Sequence, residues 1–135
     1  MTRFVVDAGV VLHLAAEGLS VPAGHQVLAP TLIRSQALSM LHESVHRGEV
    51  TADDAQRMLG HVGRMKMRLL GDAVLRRTAW KLADQLDWAS TYDAEYLALT
   101  QLQANAFVTL NKQLARQAAK IVAVASVENL LRARS

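Results

Sequence analysis

The sequence predicts an α/β fold in which a parallel sheet of four or five strands carries helices on both faces. Three observations lead there. Short apolar, β-rich runs recur near the start, after residue 25 and again past residue 105; stretches with helical spacing separate them; and polar residues stand where strands give way to helices. At 135 residues the chain has the length of one domain, 1–135, long enough to bury a core without disulfide or metal staples.

Taken in order, Arg3 to Asp7 reads as a buried strand that ends on an aspartate, and a short helix follows from about Gly9 to Ala16, which Gly18 ends. Gln26 to Ala29 is a brief second strand. Pro30 suits the first helical position, and Leu32, Ile33, Ala37, Met40, Leu41 and Val45 form an apolar stripe ending near Gly48. Thr51-Ala52-Asp53-Asp54 has the form of a capping box, after which Ala55, Met58, Leu59 and Val62 continue the period. Met65 to Leu70 alternates basic and apolar residues, as an edge strand does.

Gly71-Asp72 opens a helix to about Asp87, with Val74, Leu75, Thr78, Ala79 and Leu82 on one side. Trp88-Ala89-Ser90 is a joint before a helix over 92–102. Strands over 106–109 and 121–123 flank a short helix over 112–118, and Ser126 caps a terminal helix. Open α/β sheets gather their strand ends at one crevice, so Asp7, Asp93 and Asn111, all at or near such junctions, are candidates for a common site.

Composition narrows the function. The chain has no cysteine, which excludes disulfides and thiolate zinc sites. Its formal charge is +3, with six basic residues against Asp72 between Arg64 and Lys81, and five against Glu128 from Leu97 onward. Clustered Lys and Arg favour a polyanionic partner through counterion release. Apolar runs fall short of the roughly 20 residues needed to span a bilayer, and the N-terminus is a strand pattern rather than a leader, so no membrane association and a soluble, cytoplasmic protein are expected. With aromatics at only 4%, Trp80, Trp88, Tyr92 and Tyr96 are expected in core and interfaces rather than in a base-stacking platform. Met65 and Met67, with Val62 and Leu69, are expected to form an apolar edge that a partner covers.

Five stretches carry a family likeness: Val5-Val6-Asp7; Ala29-Pro30 before a helix; Gly48-Glu49-Val50 before another; Tyr92-Asp93-Ala94-Glu95-Tyr96-Leu97-Ala98-Leu99; and Val108-Thr109-Leu110-Asn111 followed by Leu114. On these the chain resembles the PIN-domain family, and more narrowly the VapC-type toxins of toxin–antitoxin pairs. The resemblance implies a PIN-like three-layer sandwich and a Mg2+- or Mn2+-dependent endoribonuclease that cuts structured RNA such as tRNA or rRNA. It also implies a cognate antitoxin as partner and a homodimer. Of the family's four acidic positions, Asp7 and Asp93 match; Gln36 stands where the helix glutamate is expected and Asn111 where the last aspartate is expected. The family's Ser or Thr shortly after the first aspartate is replaced by Ala8-Gly9.

Each residue also has a plainer use. Asp7 and Asp93 suit helix N-termini, Asn111 suits a turn, and Gln36 sits at the margin of a buried stripe where water or the site's aspartates would satisfy its amide. Glu43 and Glu95 are the available substitutes for a missing carboxylate and are expected instead as surface charges. The resulting expectation is a catalytic set of Asp7, Asp93, Gln36 and Asn111, with Asp7 and Asp93 as the metal ligands. Two formal negatives neutralise one divalent ion and not two, which predicts weak metal binding and reduced activity. The alternative is a PIN-like module without catalysis that binds RNA or a protein partner.

Overall fold

A computed structural model describes residues 1–133. Five strands form one all-parallel sheet in the order β3-β2-β1-β4-β5, with β1 at Thr2–Val6, β2 at His25–Pro30, β3 at Arg68–Leu70, β4 at Ala106–Val108 and β5 at Val124–Ala125. Seven helices connect and cover them: α1 Ala8–Glu17, α2 Ile33–His46, α3 Ala52–Arg64, α4 Ala73–Gln85, α5 Tyr92–Gln103, α6 Lys112–Ala118 and α7 Val127–Leu131. Helices α1, α2 and α3 pack on one another, whereas α4 pairs with α5 and α5 lies across β1, β2 and β4. The predicted class is the observed one.

The central strand is apolar because both its faces are covered, as parallel sheets require. Phe4, Val5 and Val6 are buried with Val27, Leu28 and Ala29 of β2 and Phe107 and Val108 of β4. A smaller cluster of Ala15, Leu41, Ala55 and Met58 joins α1, α2 and α3. No helix among the described residues is long and apolar enough to cross a membrane.

Several expectations need correction. Pro30 is not the first residue of a helix; it is the last residue of β2, in register with Leu70, and α2 begins at Ile33. Proline cannot donate to a ladder, and here the next residue does so, Thr31 N–H donating to the Leu70 carbonyl at 3.0 Å. In α2 the buried residues are Ile33, Ala37 and Leu41, whereas Met40, expected in the stripe, is exposed. Val74 of α4 is also exposed, and Leu75, Ala79, Leu82 and Ala83 form the buried face. The capping box at α3 is half made: Thr51 Oγ1 accepts from Asp54 N–H, but the Asp54 carboxylate pairs with Arg57.

The last strand begins at Val124 instead of residue 121, because Ile121 and Val122 give their N–H groups to the Ala118 carbonyl and close α6. A reciprocal capping box between Ser126 and Asn129 starts α7. Val62, Met65, Met67 and Leu69 are partly buried against the core rather than an exposed edge; Met65 and Met67 line a cavity of about 480 Å³ with Leu14, Leu19 and Val27. Arg134, counted in the terminal basic set, lies outside the described residues.

Candidate functional site

Strand order reverses direction between β1 and β4, since β1, β2 and β3 run outward one way and β4 and β5 the other. That is the switch point at which open parallel sheets leave a crevice at the carboxyl ends of the strands. Val6 is in register with Val108, so the next residues, Asp7 and Thr109, stand side by side at the mouth of the crevice.

Asp7 serves two structural bonds at once. One carboxylate oxygen, Oδ1, accepts from Val10 N–H at 3.0 Å and caps α1; the other, Oδ2, accepts from the Thr109 hydroxyl at 2.5 Å. Burial raises its pKa above the ordinary 3.8, the Thr109 and Val10 bonds pull it back, and the Asp93 charge raises it further. Asp93, in the first turn of α5, is raised by loss of water alone. The influence of Asp93 on Asp7 places the two carboxylates in one electrostatic neighbourhood.

Tyr96, one turn beyond Asp93, is buried against Phe107. Its hydroxyl donates to Gln36 Oε1, tying α5 to α2. The phenol pKa is raised, first by burial and then by the charges of Asp7, Asp93 and Glu95. Gln36 also lines a surface hollow together with Asp93. The structure thus brings Asp7, Asp93 and Gln36 to one place, with Tyr96 among them. The Gln36 partner in the structure is a donor, the Tyr96 phenol on Oε1, where aspartates are expected as acceptors for the amide NH2.

Asn111 joins less directly. Its side-chain Oδ1 accepts from Leu114 N–H at 3.0 Å as the N-cap of α6, while its own backbone N–H donates to Thr109 Oγ1 at 3.1 Å. The amide is therefore used for capping, and its link to Asp7 runs through Thr109. Glu43 is exposed and accepts from the Ser39 hydroxyl, as a surface charge does. Glu95 departs from that expectation: it is half-buried, its carboxyl is raised by burial, Arg76 opposes that rise, and its charge reaches Tyr96.

Thr109 is the residue that sequence reasoning missed as a site group. The family likeness places the helpful hydroxyl just after the first aspartate, where this chain has Ala8-Gly9; here the hydroxyl arrives from the neighbouring strand. Only the β1–β4 register could have revealed it. Replacing Thr109 with Val removes the donor that holds the Asp7 carboxylate, and any metal-dependent activity of this site is expected to fall about 10–100-fold, as for partners that orient metal ligands. Thr109→Ser is expected to retain activity; equal activity of the Val and Ser variants would remove Thr109 from the site.

The oxygens left for a hard divalent cation are those of the Asp7 and Asp93 carboxylates, because the Gln36 and Asn111 amide oxygens accept from Tyr96 and Leu114 and the Thr109 hydroxyl donates to Asp7. Neither Asp7 nor Asp93 is in an ion pair among the described residues, where the pairs are Arg47–Glu49 and Arg57–Asp54. Loss of water penalises the ionised Asp7 and the Asp93 charge adds to that penalty, so a cation shared by the two would relieve it, while the exposed Asp93 stays open to solvent. No group of three or more His, Cys, Asp or Glu positioned to hold a metal occurs among the described residues, so the acidic charge available is that of the pair.

No protein-family model matches the chain, and no curated protein sequence matches it significantly. Solved structures do share its fold. PAE2754 from Pyrobaculum aerophilum superposes with a TM-score of 0.72 at 22% identity, over 96% of this chain and 93% of that one. VapBC2 from Rickettsia felis, determined bound to a DNA fragment from its promoter, superposes with a TM-score of 0.59 at 10% identity, over 93% of this chain and 98% of that one. The chain has a PIN-like fold, a three-layer sandwich with the sheet between helical layers.

Proposed function

We propose that the protein is a metal-dependent endoribonuclease of the VapC toxin type, acting in the cytoplasm on structured RNA such as tRNA or rRNA with Mg2+ or Mn2+. The observation that carries this reading is the pair of a half-buried Asp7 at the switch-point crevice and a more exposed Asp93, both with raised pKa values and neither in an ion pair among the described residues. A divalent ion bound there would supply Lewis-acid activation of water and stabilise charge developing on a phosphate. Asp7 and Asp93 are the proposed ligands. Thr109 and Val10 hold the Asp7 carboxylate in a fixed orientation, and the Tyr96 phenol holds Gln36 at the rim. The proposed partners are RNA, a cognate antitoxin and a second copy of the chain.

The deciding assay is cleavage of total tRNA and rRNA with Mn2+, with Mg2+ and with EDTA, alongside Asp93→Ala. Cleavage that requires the metal and Asp93 supports the reading, and cleavage indifferent to both rules it out. The competing reading, a PIN-like binding module without catalysis, is favoured by one feature: both amides at acidic positions have their oxygens engaged, Gln36 by Tyr96 and Asn111 by Leu114. Binding of RNA without cleavage under any metal would select it.

Protons compete with the metal for both aspartates. Since both metal-free pKa values are raised from 3.8, the acid limb of the cleavage profile at limiting metal is expected above 3.8, with activity rising as pH rises through it and the limb moving to lower pH as metal is added. An acid limb that stays fixed as the metal concentration is varied would show that these two groups do not control the rate.

A further inference from the structure

Beside Asp93 lies an open hollow of about 470 Å³ whose walls include Gln36, Asp87, Trp88, Ser90 and Tyr92. Its size is within the roughly 300–1,000 Å³ usual for ligand pockets. Tyr92 is 57% exposed, a large aromatic ring held in water at the first position of α5. The loop beneath it is braced: Asp87 takes a left-handed φ of 57°, Trp88 N–H donates to the Ala83 carbonyl at 2.8 Å, and Tyr92 N–H donates to Ser90 Oγ at 3.2 Å. Trp88 is partly buried against the core, so it is anchored in place.

We infer that this hollow receives one unpaired RNA base adjoining the phosphate presented to Asp7 and Asp93. The inference rests on the nuclease reading for its substrate. Charge chooses the occupant: the walls carry the carboxylates of Asp87 and Asp93 and no Lys or Arg, which repels a phosphate and tolerates a neutral base. Aromatic faces then offer stacking, to which any base contributes a π-face. With its Oε1 taken by Tyr96, Gln36 keeps its NH2 group as a donor, and Ser90 adds a hydroxyl for a base edge. A base inside an A-form helix is stacked and its edges are hard to reach, so the substrate class is RNA with an unpaired nucleotide, in a loop, bulge or end. Of the four aromatics expected in core and interfaces, Tyr96 is buried and Trp88 packs against the core, whereas Trp80 and Tyr92 are exposed.

The test separates this inference from catalysis. In Trp80→Phe protein, Trp88 is the sole tryptophan and reports on the hollow. A short unstructured RNA oligonucleotide, titrated in EDTA, is expected to change Trp88 emission, and a blunt duplex of the same length is not. Tyr92→Ala in that background is expected to weaken single-strand binding about fivefold or more, with Tyr92→Phe near the parent, since loss of one base–aromatic stack has at least that effect. With metal present, Tyr92→Ala is expected to raise KM and leave kcat nearly unchanged.

Equal binding of duplex and single strand, no binding of either, or binding and KM unaffected by Tyr92→Ala would each overturn the base-holding role. If Tyr92→Ala leaves cleavage intact with unchanged KM, the hollow falls and the nuclease stands. If single-strand binding depends on Tyr92 and no metal yields cleavage, the nuclease falls and the hollow stands.

Discussion

Replacing Asp7 with Asn is expected to lower metal-dependent RNA cleavage about 100-fold or more, since even the partners that merely orient metal ligands are worth about 10–100-fold. The same change is expected to leave the metal-free fold intact and raise its Tm at neutral pH. The introduced amide keeps an oxygen for Val10 N–H, so the α1 cap survives, and it removes a charge that burial penalises. The sign follows from linkage. A carboxyl whose pKa is raised on folding adds stability that is complete below the unfolded value near 3.8 and is lost as pH climbs through the higher folded value. At neutral pH the ionised side chain therefore works against the fold, and the variant's advantage should shrink as pH falls toward 3.8 and vanish below it. Asp93→Asn should behave alike, with a smaller thermal gain because that side chain is more exposed. Thermal melts across pH, paired with cleavage rates, check both halves. A lower Tm at neutral pH would overturn the stability half, and metal-dependent cleavage undiminished in the folded variant would remove Asp7 from the site.

The second large effect runs the other way. Gln36→Glu with Asn111→Asp is expected to strengthen Mg2+ binding about tenfold or more and to increase Mg2+-dependent cleavage in proportion. At an effective dielectric near 20, a divalent cation and a carboxylate about 4 Å apart attract by roughly 8 kcal/mol before desolvation and water exchange are subtracted, so a small remainder suffices for that gain. The surroundings suit both changes. The Tyr96 hydroxyl can donate to a carboxylate at 36 as it does to the amide, and aspartate caps a helix as well as asparagine does, which preserves the bond to Leu114 N–H. Calorimetric titration with Mg2+ and a cleavage assay measure the two parts. A folded double variant with unchanged affinity and rate would show that these positions do not face the ion.

Much of this architecture is legible from one-dimensional patterns. Apolar runs at 3–6, 26–29 and 106–108 mark buried parallel strands, and helical spacing marks the crossovers, so fold class follows, while the short edge strands leave the number at four or five. The aspartate after β1 stands where a strand end meets a helix start, and the one in the first turn of α5 follows the turn from α4. Legibility stops where a role depends on contacts distant in sequence. Tyr96 looks like a core aromatic and its ring is one, but its hydroxyl reaches Gln36, 60 residues away, and no local pattern announces that. Pro30 fits a helix start and a strand end equally by conformation; the pairing with Leu70 decides it. Asn111 illustrates the opposite case, since its capping use is plain from local chemistry and its tie to Asp7 needs Thr109 as intermediary.

The hydrogen bond from Thr109 to Asp7 joins residues 102 apart and bridges the first strand to the fourth. During synthesis the opening segment leaves the ribosome long before its companion exists, and β1 waits with one flank unpaired until residues 106–108 emerge. A truncated chain ending before that point would hold Asp7 without the hydroxyl that steadies it. The orientation of the Asp7 carboxylate is therefore set late in synthesis, after both acids of the pair have been made, by a residue of the fourth strand.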